Sequence, residues 1–596
     1  MSRRLILSCL LAAAFIAPGR AQQSLASLQT TAEKTDYKST STHADVVAFM
    51  QAVAAASPNV FYLTYGKTFQ GRDMPLAVVG TGLKDGSPAS VLATGKLRVH
   101  IQGNIHAGEV EGKEAAQVLL RELAMGQHAD WLEHVVLLVT PIYNADGNEQ
   151  FSLDNRPRQN GPIDGMGTRQ TAQGINLNRD YTKLEAPESR AFTKLWNDYD
   201  PHVGIDLHTS DGSTHGYYVT YSPPLHPDTS DQIMNILKGE WFPFISREVK
   251  AKHGWEMYYY GNASSVGGRG RGGAGGRGRG GAAAGGGRGA GGRGQAAAGG
   301  QAAAGGGRAG RAGGGARGGR GAGFQADVVG AQPGGGLPRA WATFEHVPRF
   351  HNNYVGMRNR FGLLSEAYAY ATFKDRITAT GYFMEEALNY ASANAERLMA
   401  ATAAADAESI VGQKLATRAA QTTGGMIDVL MGEVEDEANP NNGAVMNRRV
   451  DRTHVEPMLD RLWFAPTEIE DVPAEYYVPA AATKAIDTLR AHGIEMRQTT
   501  APVSGVEAFV ITSNTARPAR PGSIDFQNHE LRSLEGYWQP SATAVPAGSY
   551  VVSLDQKLGR LAFIMLAPTS DDGLLNWNFL DDLLQDGKPY PITRKR

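Results

Sequence analysis

The sequence predicts an α/β protein whose mixed, largely parallel sheet is flanked by helices, followed by a smaller β-rich C-terminal domain. Three observations carry this. Strand-like and helix-like segments alternate through the first 250 residues, as expected of parallel strands joined by helical crossovers. A stretch over 264–323, nearly all Gly, Ala and Arg, interrupts that alternation. After about residue 405 the texture changes to short alternating segments separated by Pro and Gly.

Taken in order, Ala44 to Ala56 reads as a helix, and Phe61 to Gly80 as two short strands around a turn at Gly71-Arg72. Leu97 to Gln102 is a strand that ends just before Gly103-Asn104, and Glu114 to Ala124 has helical periodicity. Val135 to Thr140 is the continuous apolar run of a buried strand. Arg190 to Trp196 is helical, Val203 to Leu207 and Phe361 to Tyr370 are strands, and Tyr382 to Ala401 is one long helix. The C-terminal domain, 406–596, contains strands such as Val506 to Ile511 and Ser549 to Leu554, and a helix over Ala480 to Ala491. Nothing in its residues names a role.

The chain has 596 residues, 42% hydrophobic and 20% charged, with a formal net charge of −2, so the overall balance names no polyanionic partner. Arg3-Arg4, the apolar run Leu5 to Ala17 and the small residues Gly19 and Ala21 form a signal peptide over 1–21, cut before Gln22. This apolar run is too short to span a bilayer, so the mature chain is expected to be secreted or periplasmic without a transmembrane anchor. The single cysteine, Cys9, falls inside that signal. Disulfides, thiol nucleophiles and cysteine-ligated zinc are therefore excluded from the mature chain, and any metal site must use His, Asp and Glu.

His106-Ala107-Gly108-Glu109 follows a strand directly, and His208 ends another in Gly204-Ile205-Asp206-Leu207-His208-Thr209. Two imidazoles and one carboxylate are a common three-ligand set of catalytic zinc, with a fourth position left for water. Among 15 histidines a lone His-x-x-Glu arises by chance, so the argument rests on what accompanies it.

In order along the chain come His106/Glu109, Asn178-Arg179, His208 and Glu366, with Pro141-Ile142-Tyr143-Asn144-Ala145-Asp146-Gly147 between the first two. This series resembles the zinc carboxypeptidase family, over about residues 40 to 400 without the Gly/Arg insertion. The resemblance implies a carboxypeptidase A-like fold and one Zn2+ held by His106, Glu109 and His208. It implies hydrolysis of C-terminal residues from a peptide or protein substrate by zinc-bound water that a glutamate activates. That glutamate is Glu366, at the end of an apolar run and before a helix; Glu345, in Thr343-Phe344-Glu345, is the alternative. Asn178 and Arg179 occupy the family's position for the substrate carboxylate, which suits a guanidinium's paired donors. Arg158, in Arg158-Gln159-Asn160, is the match for the arginine that stabilises the oxyanion, with Arg156 close by. Tyr354 is the candidate for the family's mobile substrate tyrosine; Tyr258, Tyr259 and Tyr260 are the others.

One departure concerns Asn176, which stands where the family often has an Asp partner for the first zinc histidine. An amide oxygen still orients an imidazole but brings no charge to raise its basicity. The Gly/Arg segment cannot bury enough apolar surface to offset its ordering entropy and reads as a disordered, basic insertion. Arg-Gly-Gly tracts can bind single-stranded nucleic acid, but export argues against such a partner. Competing functions are a zinc amidohydrolase acting on another amide, such as cell-wall peptide, and a catalytically silent binding protein on the same fold. The preferred terminal side chain and the oligomeric state are not written in the sequence.

Overall fold

Thr42 and Asp45 cap one another at the start of α1 (His43–Ala56), each side chain accepting from the other's backbone N–H. The protein is described by a computed structural model over residues 25–265, 339–517, 527 and 529–596. The expected signal peptide and nearly all of the Gly/Arg insertion lie outside the described residues. After α1, β1 (Val60–Lys67) and β2 (Asp73–Val79) form an antiparallel hairpin whose turn uses Gly71 at φ +82. Then follow β3 (Leu97–Gly103), α2 (Glu111–Ala124), β4 (Val135–Thr140), α3 (Pro187–Tyr199), β5 (Val203–Ser210), β6 (Val219–Ser222), α4 (Phe242–His253), β7 (Met257–Tyr259) and β8 (Asn262–Ser265). Past the insertion come β9 (Arg339–Ala342), α5 (His351–Met357), β10 (Phe361–Tyr368), α6 (Phe373–Ala393) and α7 (Ala395–Ala407).

The central sheet has eight strands in the order β1-β2-β4-β3-β5-β10-β6-β7. Its middle, β4-β3-β5-β10, is parallel; β2 joins β4, and β6 joins β10, antiparallel. These middle strands are buried along almost their whole length; β4 accordingly reads as an unbroken apolar run, while β3 and β5 carry buried polar residues at alternate positions. The expected α/β architecture, mixed and largely parallel with flanking helices, is the one observed.

One expected helix is two. The segment read as a single helix over Tyr382 to Ala401 divides at Asn394, which has φ −121 and ψ 19. Its side-chain amide donates to Tyr390 O at 2.9 Å, the local side-chain-to-backbone bond by which Asn competes with helix propagation. Thr372 caps α6, its hydroxyl accepting from Asp375 N, and so starts the helix earlier than its apolar spacing suggests.

Beyond α7 lie β11 (Lys414–Gln421), β12 (Met426–Ala438), β13 (Val445–Arg461), β14 (Phe464–Asp471), β15 (Glu475–Val478), α8 (Thr483–His492) and β16 (Arg497–Gln498). They are followed by β17 (Glu507–Arg517), β18 (Leu531–Pro540), β19 (Tyr550–Ser553), α9 (Gly559–Leu566) and β20 (Thr593–Lys595). The long β12–β13 hairpin pairs with β9 and β8 in one sheet, and six strands form another in the order β16-β19-β15-β20-β17-β18. A continuous apolar cluster joins Leu76, Val78 and Leu138 of the central sheet to Trp196, Tyr354, Val478, Phe509 and Phe563. The β12–β13 hairpin also leans on the loops after β4 and β10: Asn447 N donates to Arg158 O at 2.9 Å and Arg449 N to Tyr370 O at 2.6 Å. No described helix is long and apolar enough to cross a membrane.

Candidate metal and active site

The backbone leaves β3 through Gly103, where a Cβ would lie 3.0 Å from Pro141 O and 3.1 Å from Lys113 N, and turns at Asn104 with φ +62. Asn104 Nδ2 braces this turn on Ala107 O and Glu109 O, each at 3.3 Å. The turn delivers His106 and Glu109 to the carboxyl end of the parallel strands, where β5 delivers His208. At Gly112 a Cβ would fall 2.5 Å from Leu207 Cβ, so a glycine lets α2 close onto β5 beside the site.

One ligand atom each from His106, Glu109 and His208 lies within 4.8 Å of the others, and all three residues are buried. His106 Nδ1 is 3.1 Å from Glu109 Oε1, and His208 Nδ1 is 2.8 Å from Glu109 Oε2. The far nitrogen of each ring is held by an oxygen: His106 Nε2 by Asn176 Oδ1 at 3.0 Å, His208 Nε2 by Asp206 Oδ2 at 2.7 Å. An acceptor behind each imidazole suits a proton on Nε2, which would free Nδ1 to bind an ion beside Glu109. This donor set, two imidazoles each backed by an oxygen and a carboxylate between them, fits a zinc ion. Against the cost of burial, His106 and Arg156 hold the Glu109 carboxyl well below its ordinary range, so it is a charged ligand.

Two side chains face the triad from neighbouring elements. Glu366, on β10, stands opposite His208 in the β5–β10 register. Burial and then the charge of Glu109 push its carboxyl up, while His208, Arg156 and Arg169 pull it down. Arg156 is anchored three times: Nε to Gln159 Oε1 at 2.8 Å, one Nη to Glu109 Oε1 at 2.9 Å, the other to Thr209 O at 3.2 Å. Gly108 makes room for it, since a Cβ there would meet Arg156 Cδ at 2.7 Å.

Residues 46–254 match the sequence profile of the family described as zinc carboxypeptidase, a span that includes His106, Glu109, Asn178, Arg179 and His208. These residues form a zinc carboxypeptidase domain. Carboxypeptidase 2 of Trichophyton rubrum is 30% identical over 163 residues, covering 27% of this chain and 27% of its own. Carboxypeptidase 2 of Trichophyton tonsurans is 29% identical over 166 residues, again 27% of each chain. The chain thus spans about a quarter of the length of these curated relatives. Among solved structures, a metallo-carboxypeptidase from Burkholderia cenocepacia aligns at 16% identity with a TM-score of 0.36, over 59% of this chain and 70% of that one.

The carboxypeptidase domain does not bring every expected residue to the metal triad. Arg158 points away: its side chain is 63% exposed and bonds Asn447 Oδ1 at 3.3 Å. The turn explains this. Arg156 takes φ +48 and accepts Gln159 N at its carbonyl, so Arg156 is aimed inward and Arg158, two residues on, outward. Tyr354 is fully buried in α5, its hydroxyl bonded to His492 Nδ1 at 2.8 Å and to Arg358 at 3.0 Å, with no face toward the triad. Of the other tyrosines Tyr260 is the one near Glu366, whose charge, after burial, raises its hydroxyl's pKa. Glu345 is drawn to Arg349 and lies in the field of Arg179. Arg179 lies 3.7 Å over the Phe350 ring and bonds Asn178 O at 2.7 Å, while Asn178 Oδ1 accepts from His351 N at 3.0 Å.

Three contributors went unread in the sequence. Asp206 precedes His208 by two strand positions and so shares its face, a spacing that was available as a signal. Arg169, in a loop without periodicity, has an Nη 3.6 Å from Glu109 Oε1. Gln527, from the C-terminal region, donates to Asn176 O at 2.6 Å and has no local signal at all.

Proposed function

We propose that this protein is an exported zinc carboxypeptidase that removes C-terminal residues from peptides. The observation that carries the reading is Glu366 facing His208 across the β5–β10 ladder, beside the buried His106–Glu109–His208 set. Zinc held by these three residues would supply Lewis-acid activation of water and of the scissile carbonyl. Glu366 takes a proton from the attacking water at its carboxylate as the C–O bond forms and the carbonyl electron pair moves onto oxygen, then returns a proton to the amine nitrogen as that pair re-forms the carbonyl and the C–N bond breaks. Arg156, preorganised by its three anchors, receives the negative charge that develops on the carbonyl oxygen. Asn178 and Arg179 hold the substrate's terminal carboxylate, and Phe350 beneath the guanidinium limits its directions. Export is supported by the basic start, apolar run and small residues of 1–21.

Glu366→Gln tests the reading on purified, zinc-loaded protein and a short peptide. Hydrolysis should vanish while metal content stays at that of the parent. Unchanged hydrolysis would sink the mechanism as written.

A further inference from the structure

Arg376 and Glu111 form an ion pair at 3.4 Å, with both side chains shut off from solvent. A buried pair of this kind is a weak source of stability, because desolvation offsets much of the attraction. The pair instead connects four segments of chain. Arg376, on α6, donates to Asn160 O and Ala371 O at 2.8 Å, to Gly161 O at 2.7 Å and to Ala369 O at 3.2 Å. It thereby clamps the loop that carries Arg156 and Gln159 to the loop that follows Glu366. Glu111, the first residue of α2, accepts from Arg376 Nε with one oxygen and from the Thr209 hydroxyl with the other. Thr209 in turn offers its carbonyl to Arg156 at 3.2 Å and its N–H to Glu109 at 3.1 Å.

We propose that Glu111 is a positioning residue for the reaction: held by Arg376, it fixes Thr209, and through the Thr209 carbonyl it sets the direction of Arg156. Of the three anchors on Arg156, Glu109 is also a ligand of the expected zinc, which would share its charge. The other two both lead to Arg376. Gln159 does so through its loop, where Arg376 grips the next two carbonyls, and Thr209 does so through Glu111. A guanidinium stabilises charge that develops during reaction only so far as its direction is set beforehand. A carboxylate suits the place of Glu111, since its two oxygens accept from a hydroxyl and a guanidinium at once. This assignment rests on the carboxypeptidase reading above.

The test uses zinc-loaded protein and one short peptide, with zinc content measured for every variant. Glu111→Gln keeps the side chain's shape but turns one acceptor into a donor. It should lower kcat by roughly tenfold to 10²-fold, the scale of an ångström-level misplacement, with KM near the parent's. Thr209→Val removes only the hydroxyl and should do the same, and Thr209→Ser should recover most of the loss. The deciding measurement is a double variant: added to Arg156→Ala, Glu111→Gln should cost nothing further. In calorimetry a peptide phosphonate, whose tetrahedral oxygens mimic the charged carbonyl, should lose affinity by the same factor in Glu111→Gln but not when Arg156 is already alanine. Single effects that multiply in the double variant, or a lower turnover that tracks lost zinc, overturn the assignment. A parent that cleaves no peptide would instead sink the carboxypeptidase reading, and the phosphonate titrations would still decide whether Glu111 acts through Arg156.

Discussion

Glu366 and His208 are register partners in adjacent parallel strands, so their side chains leave the sheet on the same face. Pairing continues on both sides, from Phe361 with Val203 to Tyr368 with Ser210, which fixes the glutamate's position through the backbone. Such a group has little freedom to compensate for a change in its own length. Glu366→Asp should therefore lower kcat by about 10²-fold, the cost of an ångström-scale misplacement, with zinc retained. Steady-state kinetics with metal analysis checks it; near-parent turnover would contradict the placement.

Arg156 and Arg158 are two residues apart and point in opposite directions, and their alanine variants should part company. Arg156→Ala should reduce kcat by roughly 10²–10³-fold, as loss of an oxyanion donor does. Arg158→Ala removes an exposed contact with Asn447 and Asp436 and should leave both kinetic constants near parent values. The reverse ranking would return the role to Arg158.

The two histidines of the triad are backed unequally, one by the Asn176 amide and one by the Asp206 carboxylate. Asp206→Asn should weaken zinc binding about 10–100-fold in a chelator competition, the usual effect of losing such a partner. Asn176→Asp should strengthen it, because a carboxylate makes the His106 ring more basic. Equal affinities in all three proteins would show that these partners orient the rings without tuning them.

Asp200, in a left-handed turn after α3, bonds Arg360 at 2.9 Å and Lys557 at 2.6 Å, and lies 3.4 Å from Arg98. Despite the opposing effect of burial, Arg360 and Lys557 hold its carboxyl well below the usual carboxylate range. A depressed folded-state pKa contributes stability above the unfolded-state value and loses it as pH falls toward the folded one. Asp200→Asn, which keeps a residue tolerant of positive φ, should lower Tm at neutral pH, and the gap should close in acid below about pH 4. A gap independent of pH would assign the loss to packing.

Much of this protein is legible without coordinates. An unbroken apolar run marked β4, because a strand buried on both faces needs no polar alternation; β3 and β5, buried as fully, alternate apolar residues with buried polar ones such as His100, Gln102, Asp206 and His208. The residue order His106, Glu109, Asn178, Arg179, His208, Glu366 carried the chemistry, since strand ends are where a parallel sheet delivers its reactive groups. Glu366 is preferred to Glu345 already from the apolar run before it and the helix after it, and the β5–β10 register puts it opposite His208. Only the tertiary structure turned Arg156 inward and Arg158 outward, a choice that depends on a single positive φ. Tyr354 went the other way for the same reason, as the C-terminal region supplies the His492 that engages it. A residue type at a given position declares what it can bond; which partner comes within 3 Å is set by chain segments hundreds of residues away, and no local pattern encodes that.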